Sequence, residues 1–381
     1  MTERTRIPAV VCFSNLDWSC LRYRKQHLME RIARHTPVIY VNPPRARKWR
    51  HPERWGIARP APGVRVYEPP VFPGIRASEQ IRHLNYRVIA KALDRMMRPD
   101  TRAVLWIYSP HATRFTELLS PGLVVYDMAD DYSVPTGTAV RDEDEARELR
   151  TLDSLERRLL RRADVVFCVS EPLRDKATAA GARNAWLLPN GCDIELYADA
   201  PTSPRRPVRA VIGYVGTVAP RFDVELVQAL ARLRPDWLFE MIGPVSPLVT
   251  VGSSPPNVAW RGEVAYAEVP GRIKSFDACI LPLREIEYSY RSSPIQVFDY
   301  LAAGKPVVSS PVAQFEAWPS LVSIACGAQG FAAALDEALG LDSVEKQEER
   351  RQFARQQSWD ARVSTALAVI ESLVQRSPDA A

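Results

Sequence analysis

A chain of 381 residues is longer than one hydrophobic core usually serves, and at roughly 150 residues per domain two domains are the simplest division. Its apolar share of 46% and charged share of 25% exclude a disordered or fibrous chain, because there is enough apolar surface to offset the entropy of ordering. The net charge of +5 is uneven: residues 22–54 hold ten Lys/Arg against Glu30 and Glu53. A patch so confined points to a local anionic partner and argues against a nucleic-acid-binding protein.

In chain order, the apolar run at residues 10–13 is too short for a secretory or membrane-spanning segment, so a cytoplasmic location is expected. Short β-branched runs follow at 38–41, 64–67, 103–108, 123–126, 165–169 and 185–188, bounded by Pro, Asn, Asp or Gly as buried parallel strands are. Helical patterns at 21–35, 78–97, 142–162 and 172–180 lie between them, which predicts a doubly wound α/β sheet. Three prolines within 198–208 break the alternation and predict a linker. Strands at 210–215, 238–242, 258–260, 278–282 and 306–309, with helices at 224–234 and 295–303, predict a second Rossmann-like unit. The tail, 343–375, reads as helix, with Trp359, Val363, Leu367 and Ile370 on one face. The predicted division is 1–200, 208–357, and a returning helix with its tail over 358–381, with the active site in the cleft between the two units. Six scattered cysteines predict reduced thiols and no metal site.

The most informative stretch is YRSSPIQVFDYLAAGKPVV, residues 290–308. Ser292, Ser293 and Pro294 precede a helix whose first-turn amides make an anion site suited to a diphosphate. Asp299, one turn on, suits a ribose diol. This run resembles that of the GT-B glycosyltransferases, especially the family-4-like (group 1) branch that builds bacterial cell-surface polysaccharides, where it looks like Ser-Pro-Leu-Lys-x-x-Glu-Tyr-Leu-Ala-x-Gly-Lys-Pro-Val-Val. Here Gln296 replaces the Lys and Asp299 the Glu, and Arg291 stands where retaining members carry the first acid of a paired-glutamate motif. The resemblance implies two Rossmann-like domains, a nucleotide-sugar donor, UDP- or GDP-linked, and no separate cofactor. The run GYVGTVAPRFDVEL at 213–226 adds Gly216, Thr217 and Arg221 as donor-phosphate candidates, Arg221 supplying charge that Gln296 lacks. Residues 242–244, 257–262 and 276–284 match the family in the same order, and in the family the strand end near Arg261–Gly262 and the loop from Pro282 border the base and sugar.

In the first unit, LVVYDMADDYS at 123–133 sets three carboxylates at and after a strand end. The segment is similar to that of some inverting GT-B glucuronosyltransferases with a base at this position, which implies Asp130 as catalytic base, with Asp131 and then Asp127 as alternates. The resemblance of residues 15–27 to an acceptor-side run implies Asp17, Arg22 and His27 as acceptor-binding, and His111 follows a strand end where cleft residues gather. Cations interleaved with Trp49 and Trp55 in 43–55 predict peripheral contact with an anionic membrane surface, on the inner face of the plasma membrane. The reading is a glycosyltransferase acting on a hydroxyl of a lipid-linked or oligosaccharide acceptor. Alternatives on the same fold are a sugar-nucleotide epimerase, a phosphorylase or a catalytically silent binding protein. A base at Asp130 points to inversion of the anomeric centre, the wider family to retention.

Overall fold

The computed structural model describes residues 7–75, 78–97, 102–198 and 209–376. In the first half the elements run β1 (Val10–Phe13), α1 (Arg24–Ile32), β2 (Val38–Val41), β3 (Gly56–Ala61), β4 (Val64–Glu68), α2 (Glu79–Met96), β5 (Val104–Ile107), α3 (Phe115–Leu118), β6 (Leu123–Met128), α4 (Glu143–Arg162), β7 (Val165–Cys168), α5 (Glu171–Ala179), β8 (Ala185–Leu187) and α6 (Ile194–Ala198). The second half continues with β9 (Val211–Val215), α7 (Val224–Leu233), β10 (Leu238–Ile242), β11 (Val258–Gly262), α8 (Val269–Lys274), β12 (Ala278–Leu281), α9 (Glu287–Arg291), α10 (Ile295–Ala302), β13 (Val307–Ser309), β14 (Val322–Ile324), α11 (Gly327–Gly340), α12 (Val344–Gln356) and α13 (Trp359–Arg376). Apart from Ala198, the expected linker lies outside the described residues.

Among the described residues the strands form two sheets. The first has the order β3-β4-β2-β1-β5-β6-β7-β8 and the second β11-β10-β9-β12-β13-β14. All pairings are parallel except β3 with β4. In each sheet the order reverses beside the first strand, at β1/β5 and β9/β12, and ligands of doubly wound sheets bind outside the carboxyl ends at such a switch point. The predicted fold of two Rossmann-like units is therefore observed.

Strand periodicity of two explains how one sheet serves two cores. Val11, Phe13, Leu105, Ile107, Val124 and Tyr126 pack on one face, against α2, α4 and α5. Val10, Cys12, Val104, Trp106, Val125 and Phe167 pack on the other, where they meet Leu28, Met29 and Ile32 of α1 and Trp359, Val363, Leu367 and Ile370 of α13. The tail is two helices rather than one continuous helix. The break falls at residues 357–358, where Gln357 and Ser358 pair with the chain around Cys192 and the Trp359 amide donates to the Cys192 carbonyl at 3.1 Å. Thus α13 starts on the first domain. The unforeseen β3 is an exposed antiparallel edge strand containing Pro60, so burial leaves no apolar signal in its sequence.

Candidate active site

Residues from both halves meet across the cleft between the two sheets. At the carboxyl end of β6, Asp127 is fully buried, and its Oδ1 accepts from Arg24 Nε at 3.0 Å and its Oδ2 from Trp106 Nε1 at 3.2 Å. This pair closes the first domain's own interior and removes Asp127 as an alternate base. Asp131 is also buried, but it faces two cations: Lys176 Nζ and Arg291 Nη1 each donate to it at 2.6 Å, and Ser133 Oγ donates at 2.7 Å. Burial raises its pKa, yet the Lys176 hydrogen bond and charge, then Ser133 and Arg291, overcome that and hold the carboxyl at about 2. So weak a proton acceptor is an ionic bridge between domains, which corrects the expectation of Asp131 as an alternate base.

Asp130 differs. It is half-buried, and its Oδ1 accepts from Tyr288 Oη of α9 at 2.7 Å. Its Oδ2 takes no hydrogen bond from the described residues. The guanidinium of Arg221 lies 5.8 Å from the Tyr288 ring centre and makes no ion pair among the described residues, which places an unneutralised cation beside the same ring. Residues 288 and 291 were unforeseen partners of this acidic strand end. Arg291, read from sequence only as a missing acid, is the residue that crosses the cleft.

The start of α10 is the second cluster. Pro294 is its N-cap, and Ser292 and Ser293 are buried just before it. Ser292 Oγ donates to the Ser289 carbonyl at 2.8 Å, while Ser293 Oγ and Gln296 Oε1 are buried without a partner. Orphaned polar atoms at a helix N-terminus are what a bound anion or sugar would satisfy. Gly216 at the end of β9 has φ 153°, and a Cβ there would stand 2.4 Å from Gln296 Nε2, so only glycine lets the amide lie against this loop. Thr217 Oγ1 is 3.1 Å from Tyr23 Oη, the N-cap residue of α1, a further contact between the halves. Asp299 is half-buried; burial, then the nearby charge of Asp193, push its pKa up to about 7 against the pull of the Tyr197 hydroxyl.

The acceptor-side candidates separate. Asp17 holds Lys48 Nζ at 2.7 Å and lines a cavity of about 410 Å³. Arg22 pairs with Glu30, and its guanidinium lies 5.6 Å from the Tyr266 ring centre in the second domain. His27 is 1% exposed, stacked on Trp359 at 4.9 Å and 3.4 Å from Asp193, so it seals the seam between α1 and α13. Burial lowers its pKa, and no acceptor reaches it, which corrects that expectation. His111 pairs with Glu148 of α4 at 2.7 Å on the exposed surface, apart from these cross-cleft contacts. Asp193 accepts from Arg31 and from Tyr266 Oη, and against burial His27, Arg31 and Tyr266 hold its pKa below the usual carboxylate range. Among the described residues no three His, Cys, Asp or Glu side chains gather as metal ligands.

Residues 209–340, which hold the whole second sheet and the α10 cluster, match the family model described as glycosyl transferases group 1. The chain carries a group 1 glycosyltransferase domain. Over 380 residues the chain is 28% identical to TuaH of Bacillus subtilis (strain 168), provisionally named a teichuronic acid biosynthesis glycosyltransferase, covering 94% of this chain and 96% of that one. Among solved structures it is similar to a sucrose-phosphate synthase from Thermosynechococcus elongatus, with a TM-score of 0.71 at 16% identity, covering 97% and 100% of the two chains. It is also similar to Anabaena Alr3699/HepE in complex with UDP and glucose, with a TM-score of 0.63 at 14% identity over 96% and 99%. These likenesses span both sheets and give the glycosyltransferase the GT-B fold that the resemblance implied.

Proposed function

We propose that this glycosyltransferase moves a sugar from a nucleoside-diphosphate donor, UDP- or GDP-linked, to a hydroxyl of a lipid-linked or oligosaccharide acceptor in cell-surface polysaccharide synthesis. The teichuronic acid role named for TuaH and the UDP and glucose held by HepE support this reading. In it the α10 amides, Ser292, Ser293, Gln296, the Gly216–Thr217 loop and Arg221 hold the diphosphate, and Asp299 takes the ribose diol. Asp130 removes the acceptor proton while the acceptor oxygen bonds to the anomeric carbon and the bond to the phosphate oxygen breaks. The departing diphosphate keeps that electron pair, stabilised by Arg221 and the helix amides. Direct displacement inverts the anomeric centre.

The observation that carries the proposal is the 2.7 Å hydrogen bond from Tyr288 to Asp130, which brings the candidate base of one domain to the donor-side helices of the other. In Asp130→Ala, transfer from a nucleotide sugar should fall by about 10²–10⁴. Nucleotide binding should persist as a thermal shift, worth about 2.7 kcal/mol at 100 times the dissociation constant. Undiminished transfer in that variant would remove Asp130 as base.

A peripheral membrane role belongs to the same reading. Trp49 is 42% exposed beside Arg50, and Ile57 of the adjoining edge strand is 49% exposed. Lys48 is committed to Asp17 and Glu68, Arg45 to Asp17 and the Asn15 carbonyl, and Trp55 lines the cavity, so the surface that would meet lipid is Trp49 and Arg50, with the exposed Arg54 at the cavity rim, rather than all of 43–55.

A further inference from the structure

The cavity beside Asp17 lies outside the carboxyl ends of β1, β2 and β4, with Asn42, Lys48, Arg54, Trp55 and Glu68 among its walls. One short loop ties it to the candidate base. Asn15 Nδ2 donates to Tyr132 Oη at 2.9 Å, two residues beyond Asp130, and two residues after Asn15 the chain presents Asp17 to the cavity. The segment that bears the candidate base and the loop that bears Asp17 are thus tied together by one hydrogen bond.

Its chemistry is selective. Lys48 Nζ is 2.7 Å from Asp17 and 2.5 Å from Glu68, and Asn42 Nδ2 donates to Glu68 Oε2 at 2.7 Å. The lysine charge is thus spent on two carboxylates, of which Asp17 also faces Arg45 Nη1 at 3.9 Å, and a phosphate entering here would meet both acids. The carboxylates retain lone pairs for hydroxyl donors, as ionised carboxylates accept at several sites. Trp55 offers a ring, and its Nε1 is buried without a partner. Arg54 stands at the rim with 74% of its side chain exposed. At about 410 Å³ the space falls in the range of small-ligand sites.

We propose that this cavity is a second acceptor subsite that takes one neutral pyranose ring next to the unit that reacts, so that the acceptor presents at least two linked sugars. This rests on the glycosyltransferase reading above, and its test is independent of turnover. Saturation-transfer NMR on the full chain would use glucose, galactose and N-acetylglucosamine, the disaccharides cellobiose, lactose and chitobiose, and inorganic pyrophosphate as a competing anion. Disaccharides should receive saturation in the wild type, and Trp55→Ala and Glu68→Gln should each weaken that binding about tenfold or more. The thermal shift produced by UDP should be unchanged in both, which confirms folding and leaves the donor side intact. The proposal is overturned if no sugar of the panel contacts the wild type, if both folded variants bind sugar as well as the wild type, or if pyrophosphate displaces the sugars. Absence of transfer with every nucleotide sugar would instead count against the transferase reading, whatever the NMR shows.

Discussion

Asp130 and Asp131 are neighbours in the chain with opposite surroundings, and that contrast is the clearest residue-scale result. One carboxylate is clamped between Lys176 and Arg291, while the other is touched by a neutral phenol and keeps an oxygen free. A side chain's surroundings, not its identity, decide what it is committed to. Asp299 follows the same rule. Its pKa of about 7 means that it is ionised, and a full acceptor for a ribose diol, only at and above neutrality. Affinity for a nucleotide sugar, whose phosphates do not titrate near neutrality, should therefore fall as pH drops through about 7. Calorimetric titration across pH 5–9 should show this, and in Asp299→Asn the slope near pH 7 should vanish. A slope unchanged in Asp299→Asn would assign the titration to another group. The sequence shows the acid at residue 299 but not this shift, because it arises from burial and from Asp193, which lies in the loop before α6, over a hundred residues away in the chain.

At the scale of elements, α9 and the turns after β2 matter most. The five-residue α9 is amphipathic toward the cleft, sending Tyr288 and Arg291 to the β6 end, while its Ser289 is buried. Its sequence was read only as the lead-in to α10, because a single turn carries too little periodicity to reveal a face. The 3-10 turn Ala46–Arg50 points Trp49 outward, whereas Trp55, which follows the turn Pro52–Arg54, lines the cavity. If this segment meets lipid, each exposed cation contributes about 1 kcal/mol toward an anionic surface and salt screens it. Vesicle sedimentation at low salt should thus show Trp49→Ala and Arg50→Ala binding less to anionic vesicles, with Lys48→Ala having the smaller direct effect on charge at the surface. Equal binding of all three variants and the wild type would end the membrane proposal.

Polar contacts that span the cleft include Asp131 to Arg291, Asp130 to Tyr288, Tyr23 to Thr217, Ser170 to the Arg291 carbonyl, Asn190 to the Ser293 carbonyl at 2.6 Å, and Tyr266 to Asp193. Folding depresses the Asp131 pKa from about 3.9 in an unfolded chain to about 2. A depressed acid stabilises the folded form fully above its unfolded pKa and loses that contribution as pH falls through the folded one. That contribution to the folded form should be full above about pH 4 and be lost between about 4 and about 2, most of it inside the first domain, where Lys176 and Ser133 lie, and the remainder across the cleft through Arg291. Removing one charged hydrogen bond in Arg291→Ala should cost about 1.5–3 kcal/mol and enlarge the radius of gyration in small-angle scattering at neutral pH. An unchanged radius would show that the other contacts suffice.

By itself the sequence determined the two α/β units, the positions of most of their buried strands along the chain and the helix that begins after Ser292–Ser293–Pro294. Those features are local: β-branched runs, breakers and caps declare themselves within a few residues. Only the tertiary structure decided which of three adjacent acids stays open, that His27 is sealed under Trp359, and that Arg291 crosses to Asp131 from 160 residues away. Charge pairing and burial depend on what the fold brings alongside a side chain, and nothing in the chain near Asp130 records that its neighbour is Tyr288.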